Sequence, residues 1–234
     1  MYILALDSSA GLACAALLSD RTLLHEVRDL SGHAHSVTLL PMIVSMLEKH
    51  GLRPHDLNLF ACSVGPGSYT GVRIGVATVK GLASGSGIPC LPLSSLEVLA
   101  QNGRGSGHLI CPVIDARRDR VYTALFEERD GIIQRLTPDM AATLSFLDAL
   151  LKKRGRVTSL VGDGTEKALS GLTYSKIRAL PEQLRDTCPY NAGLLAYERY
   201  TADPGCAVGE ERLSPVYLGQ TQAERERAEK MKMN

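Results

Sequence analysis

With Asp7 set over Asp115, the stretches LALDSSAGLACAALL and PVIDARRDRVYTALF align at a constant offset of 108 residues. Each reads as an apolar strand, a turn opened by an aspartate, and an apolar return strand. Ala16-Leu17 falls on Ala124-Leu125, and each return strand leads through a turn, Asp20-Arg21 or Asp130-Gly131, into a third apolar run. Self-similarity at a fixed offset predicts two copies of one supersecondary unit. Because identity is thin, two independently arisen hairpins are the alternative.

The rest of the chain fits a duplicated unit. Ser36 to His50 has helical periodicity, with Ser36 as N-cap and Gly51 as stop, and Pro41 kinks the helix or marks its start. Leu57 to Val64 reads as a strand, Thr70 to Ser84 and Ser94 to Asn102 as helices, and Asn102 to Gly107 as a Gly-rich joint. Beyond the joint come a helix at 145–153, a strand ending at Val161, a helix near 191–200 and a strand-like Pro215 to Leu218. These spans predict an N-terminal lobe over 1–103, a smaller lobe over 104–219 and a charged tail over 220–234. Two lobes that each open with a strand meander and an aspartate turn describe an α/β, two-lobed actin-like ATPase (ribonuclease-H-like) fold with mixed sheets and a reduced second lobe.

Composition narrows the function. Twenty-six Lys and Arg against twenty-five Asp and Glu leave a net charge of +1, with 44% hydrophobic residues. A chain of this size buries roughly 70% of its unfolded surface, so disorder is excluded for most of it. The balance argues against a protein that holds nucleic acid by itself, and no Lys/Arg run stands out as such a patch. The six cysteines contain no CxxC pair and read as buried thiols of a reducing compartment. The apolar opening lacks a cationic start and carries Asp7, which argues against a signal peptide. No segment reaches the roughly 18 to 20 apolar residues that span a bilayer, so the expected place is the cytoplasm.

The Gly-rich element GPGSYTGVRIG, residues 65–75, follows a strand and opens a helix, a geometry that can hold an anion. It lacks the Gly-Lys-Ser/Thr ending of a Walker A loop and the third glycine of GxGxxG. Gly71 and Gly75, one turn apart and continued by Thr78 and Leu82, also make a smooth face for a second helix. On the preceding helix, Leu40, Ile43, Val44 and Leu47 form one apolar face and Leu39, Met42 and Met46 another. The combined arc is roughly 200°, against the roughly 100° that one core contact requires. Surplus faces on adjacent helices point to a subunit interface, with a helix sandwiched inside its own domain as the alternative. His33 and His35 lack a third ligand at metal spacing. HExxH and GxSxG are missing. In a two-lobed ATPase the aspartate turns press against phosphates, which makes Asp7, Ser8, Ser9, Asp115 and Arg118 the candidates for nucleotide. Arg117 and Arg118 stand where a phosphate loop favours glycine.

The runs LALDSS (4–9), His35-Ser36 with Leu39-Leu40-Pro41, GPGSYTGVRIG, Ser94-Ser95-Leu96-Glu97 and Ile114-Asp115-Ala116-Arg117-Arg118 together resemble the TsaB (YeaZ) family. The resemblance covers residues 1 to about 125, and the remainder only through spacing and Pro215-Val216-Tyr217-Leu218. It implies a subunit of the bacterial machinery that places threonylcarbamoyl on the tRNA adenosine beside the anticodon. There a paralogue, TsaD, carries the metal and the transfer chemistry, and a small ATPase, TsaE, docks on the pair. It further implies a degenerate nucleotide site: TsaD-type metal ligands are two histidines four residues apart, and Ser94 to Asn102 holds none. No cofactor is then bound tightly by this chain alone, with ATP and metal on partner subunits, and tRNA is met only through the complex. The family pairs through the first two helices, which makes His35, Leu39, Met42, Met46, Gly71, Arg73, Gly75, Thr78 and Leu82 the expected partner interface and permits a homodimer in isolation. The competing functions are an autonomous ATP-binding phosphotransferase resting on Asp7 and Asp115, and a peptidase, for which no nucleophile–base pair is in view.

Overall fold

The structure, a computed structural model, describes residues 1–31 and 35–218. The first sheet is built from β1 (Tyr2–Asp7), β2 (Cys14–Ser19), β3 (Thr22–Arg28), β4 (Leu59–Ser63) and β5 (Cys90–Leu93). Its order is β3-β2-β1-β4-β5. The first three strands form the expected antiparallel meander, and β4 and β5 add in parallel. Strands fed by helical crossovers are buried on both faces, which is why β1 and β4 read as unbroken apolar runs rather than alternating ones.

The second sheet repeats this plan. Strand β6 (Leu109–Asp115) pairs antiparallel with β7 (Arg120–Thr123) and β8 (Phe126–Arg129), while β9 (Ile132–Arg135) and β10 (Met140–Thr143) extend that side. On the other side β11 (Thr158–Val161) and β12 (Ile177–Ala179) pair in parallel. The path β10-β7-β6-β11-β12 matches the first sheet strand for strand. The offset of 108 does not survive the turn, however. Asp7 pairs with Cys14 but Asp115 with Val121, so the second turn is one residue shorter. A one-residue slip exchanges the faces of everything that follows. The return strand is also split, with Ala124-Leu125 lying between β7 and β8.

Helices α1 (His35–Lys49) and α2 (Tyr69–Ala83) cover one face of the first sheet, burying Leu39, Ile43, Met46, Leu47, Val72, Val76 and Val79 against Leu4, Leu6, Leu17 and Phe60. Helix α1 begins at His35, so Ser36 lies inside it and is not the cap. Pro41 sits inside the helix on its exposed side, where the ring meets solvent rather than the packed sheet. The short α3 (Ser95–Ala100) packs Leu96, Leu99 and Ala100 against Ile110, Ile114 and Phe126 of the second sheet. Helices α4 (Leu144–Arg154) and α5 (Thr165–Gly171) close that sheet's far side through Leu147, Leu151 and Ala168. The second lobe is thus reduced in its helices rather than in its strands.

After residue 104 the chain does not stay with the second sheet. Helix α6 (Pro189–Ala202) lays Ala192 and Ala196 on Ile3, Ala5, Ala16 and Leu18, the remaining face of the first sheet. Gly193 permits this approach, since a β-carbon there would stand 2.3 Å from Leu18 Cδ1. The C-terminal strap then runs across the first lobe. Val208 bridges to Cys90, Leu213 is buried, and the Val216 amide donates to the Val64 carbonyl at 2.7 Å. Pro215 to Leu218 therefore holds extended chain against β4 through one bond and forms no strand. The tail 220–234 lies outside the described residues.

Candidate functional site

Helix α1 turns Leu39, Ile43, Met46 and Leu47 inward. That leaves Val37, Leu40 and Val44 outward at 67%, 46% and 40% exposure. The i, i+3, i+7 spacing makes one apolar stripe along the solvent side, with Pro41 inside it. Beside it α2 presents a low-relief face of Thr70, Arg73, Ala77 and Gly81, all exposed, with no atom near a β-carbon built on Gly81. Met42, Thr78 and Leu82 are half-buried between these outer faces and the core.

Four of the residues expected at a partner interface are therefore enclosed by their own lobe. Leu39 and Met46 belong to the core. Gly71 and Gly75 are small because of contacts within the chain: a β-carbon at Gly71 would stand 2.0 Å from the Ser8 carbonyl oxygen, and one at Gly75 2.6 Å from Ser8 Oγ. The surplus on α1 lies on the other side of the wheel, at Val37, Leu40 and Val44, residues outside the expected interface set. Spacing of 39, 43, 46 and 47 carried the inward face all along, but two adjoining apolar arcs look alike until a sheet chooses between them.

The start of α1 is fixed by Asp29, a residue the sequence reading missed. Its carboxylate accepts from the Ser31 amide and hydroxyl and from the Thr38 hydroxyl, with His35 Nδ1 at 3.7 Å. These donors, Ser31 foremost, hold the Asp29 carboxyl well below the usual carboxylate range. His33 lies outside the described residues. Among the described residues no three His, Cys, Asp or Glu side chains cluster closely enough to hold a metal ion.

At the start of α2, Arg73 Nε donates to the Tyr217 hydroxyl at 2.8 Å, and the guanidinium lies 4.0 Å from the Tyr69 ring centre. Lys80 Nζ donates to the carbonyls of Glu211 and Leu213. The strap is thereby tied to α2 at both ends, and Tyr217 joins the edge of its exposed face.

The two aspartate turns differ sharply. Asp7 is fully buried, and its Oδ1 accepts from the Ser9 amide and hydroxyl at 2.7 Å each. Ser8 Oγ donates to the Gly71 carbonyl, and the Ser68 amide donates to the Ser9 carbonyl. A β-carbon on Gly67 would stand 2.2 Å from that same carbonyl oxygen. The Gly-rich segment thus packs directly onto the turn. Burial pushes the Asp7 carboxyl above its ordinary range, only partly opposed by the hydroxyls of Ser63 and Ser9 and the Ser9 amide. A phosphate with a hydrated divalent ion does not fit against Asp7: the Ser8 and Ser9 hydroxyls and the Ser9 carbonyl are engaged within the chain, the Gly-rich segment and α2 press on the turn at Gly67 and Gly71, and Asp7 Oδ2 is buried without a hydrogen-bond partner among the described residues.

Asp115 is exposed. Lys167 Nζ stands 2.5 Å from its Oδ1 and the Arg117 amide donates to the same oxygen. Partial burial works upward, but Lys167 and Arg117 outweigh it and keep this carboxyl below its ordinary range. Arg117 and Arg118 both take left-handed backbone, φ 66° and 53°, at the hairpin tip. The four residues 116–119 join β6 to β7, closed by the Ala116 amide on the Arg120 carbonyl and the Arg120 amide on the Arg117 carbonyl. Asp7, Ser8 and Ser9 are thus spent inside one lobe and Asp115 is neutralised within the other, with Arg118 free at the tip.

A part-buried ionic cluster centred on Glu97 joins the lobes. Glu97 of α3 is bridged by Arg135 of β9 and by Arg199 of α6, while Asp139 pairs with Arg135 and accepts from Ser94 Oγ at 2.7 Å.

A family model described as TsaD, tRNA N6-adenosine threonylcarbamoyltransferase, matches residues 27–188. The chain is 40% identical over 165 residues to the tRNA threonylcarbamoyladenosine biosynthesis protein TsaB of Bacillus subtilis, covering 70% of this chain and 72% of that protein. It is 35% identical over 226 residues to the protein of the same name in Escherichia coli, covering 93% and 94%. Among solved structures, YeaZ from Pseudomonas aeruginosa superposes with a TM-score of 0.75 at 27% identity, covering 93% of this chain and 99% of that one.

Proposed function

The chain belongs to the TsaB (YeaZ) family, and from that premise we propose that it serves tRNA threonylcarbamoyladenosine biosynthesis as a non-catalytic partner subunit of a TsaD-type transferase. The observation that carries this reading is the uncovered stripe Val37, Leu40 and Val44 beside the flat outer face of α2. An apolar stripe at helical spacing next to small residues suits a second helix pair of like shape. The closed Asp7 turn supports the non-catalytic part, because a fully buried carboxyl that burial pushes toward its protonated form is poorly placed to meet phosphate. ATP and metal then reside on partner subunits, a TsaE-type ATPase joins the larger assembly, and the same stripe allows a homodimer when the partner is missing. The setting is the cytoplasm, where tRNA is modified. No helix among the described residues is long and apolar enough to cross a membrane.

The test is to mix the chain with a TsaD-type protein and follow co-elution and reconstituted tRNA modification. Val44→Asp and Leu40→Asp are expected to weaken pairing by about tenfold or more while leaving the thermal unfolding of the lone chain nearly unchanged. Ile43→Ala, which empties a core site, should instead cost about 2–4 kcal/mol of stability. Separate elution of the wild-type subunits, with modification proceeding in the absence of this chain, sinks the reading. Micromolar ATP–magnesium binding by the isolated chain, lost in Asp7→Ala, would favour the autonomous phosphotransferase instead.

A further inference from the structure

The end of α4 carries Lys152-Lys153-Arg154-Gly155-Arg156, four cations in five residues, which corrects the expectation that no Lys/Arg run stands out. All five are exposed. Gly155 turns the chain in left-handed backbone at φ 66°, and other elements gather around that turn. Lys176 Nζ donates to the Gly155 carbonyl. Arg156 and Arg129 both pair with Glu127, and Lys152 pairs with Asp148. Three segments distant in sequence thus bring six cations (Lys152, Lys153, Arg154, Arg156, Lys176, Arg129) together with four carboxylates (Glu127, Glu128, Asp130, Asp148), a local surplus of two against a whole-chain net charge of +1, with Lys153 and Arg154 at its exposed end.

Cations in the last turn of a helix favour its carbonyl end. That accounts for Lys152, Lys153 and Arg154 but not for Arg156, Lys176 and Arg129, which belong to other elements. Glu127 is nearly buried and already shared by two arginines, so the patch is not neutralised from within. The run itself holds no apolar side chain: Leu151 before it is buried and Val157 after it is 37% exposed, while the exposed Phe146 lies nearly two turns earlier on α4, so the cations rather than an apolar anchor define this end of the helix. Separated, solvated cations on a polar surface match the spacing of backbone phosphates.

We propose that this end of the second lobe is a contact surface for the phosphate backbone of a folded RNA, bound in the assembled complex. The inference rests on the reading of the chain as part of a tRNA-modifying assembly, and names the substrate contact that this chain would supply. So small a surplus of positive charge cannot hold RNA tightly alone, so the contact adds to those of partner subunits.

The test uses the complete chain assembled with a TsaD-type partner, an unmodified tRNA transcript, and binding measured across a salt series. Lys153→Glu with Arg154→Glu is expected to lower tRNA affinity about tenfold near 0.1 M salt and to reduce the salt slope by about two. Arg53→Glu with Arg104→Glu makes the same change in net charge elsewhere and should leave both quantities close to wild type. Gel filtration of each complex shows separately whether pairing is intact, so failure of the subunit reading and failure of the RNA contact are distinguishable. Equal losses in both double variants, or no loss in either, overturn the proposal. So does loss of binding to phosphatidylserine-rich vesicles or to an acidic protein with tRNA affinity unchanged.

Discussion

Ser8 and Gly71 are locked to each other in both directions. The Ser8 hydroxyl donates to the Gly71 carbonyl at 2.8 Å, and the Ser8 carbonyl oxygen occupies the place a β-carbon of residue 71 would need, 2.0 Å away. The first aspartate turn and the first turn of α2 therefore behave as one rigid piece. The opposing atom is backbone, so it cannot move aside as a flexible side chain could.

Gly71→Ala should accordingly destabilise the chain by about 1–3 kcal/mol, the usual cost of forcing a methyl into a filled site. Gly81→Ala provides the contrast, because it lies in the same helix with open space around it. It should stabilise by roughly 0.5–1 kcal/mol through helix propensity. Urea unfolding of the two variants checks both signs, and a mild Gly71→Ala would show that the turn and helix are not in contact.

Two buried aspartates should respond to pH in opposite directions. The folded-state pKa of Asp7 is raised, so the native chain holds its proton more firmly than the unfolded one. Stability from this group is full below the unfolded value near 4 and falls as pH rises through the folded value. Asp7→Asn should therefore stabilise at neutral pH, with the gain vanishing in acid. Asp29 is depressed, so its contribution is present above pH 4 and is lost as pH falls toward its folded value. Asp29→Asn should destabilise at neutral pH, and the gap to wild type should close on acidification. Denaturant midpoints between pH 3 and 8 decide the matter, and parallel curves for both variants would refute it.

Glu97 holds two arginines from separate elements, both still reached by solvent, so their charges are partly screened when it is removed. Glu97→Ala is expected to cost about 1–2 kcal/mol and to speed hydrogen exchange in α3 and α6 together. A loss confined to α3 would mean that Arg199 finds another partner and that the cluster does not couple the lobes.

The sequence disclosed what local chemistry decides. The strand and aspartate turn around Asp7 recur around Asp115 because the same backbone path favours the same residues, and α1, α2, α4 and α6 announce themselves by period. It did not disclose what distant contacts decide. Leu39 and Leu40 differ by one step on the wheel, and only the sheet beneath determines which is enclosed. Gly71 reads as a smooth helix face, yet its reason is Ser8, 63 residues away. The shortened second turn hides because Ala16-Leu17 and Ala124-Leu125 still align by letter. The cations of residues 152–156 are legible in the letters and contradict the expectation that no such run exists, whereas their neighbours Lys176 and Arg129 join only through folding.

The return of α6 to the first sheet has a consequence for synthesis on the ribosome. The last strand of that sheet is made by Leu93, but the helix that shields Ile3, Ala5, Ala16 and Leu18 ends at Ala202. About 110 further residues must emerge first, a wait on the order of 5–20 s at common elongation rates. During that interval one greasy flank of the newborn sheet is bare, so a nascent chain stalled before α6 should be a preferred client for chaperones, whereas the finished chain should not.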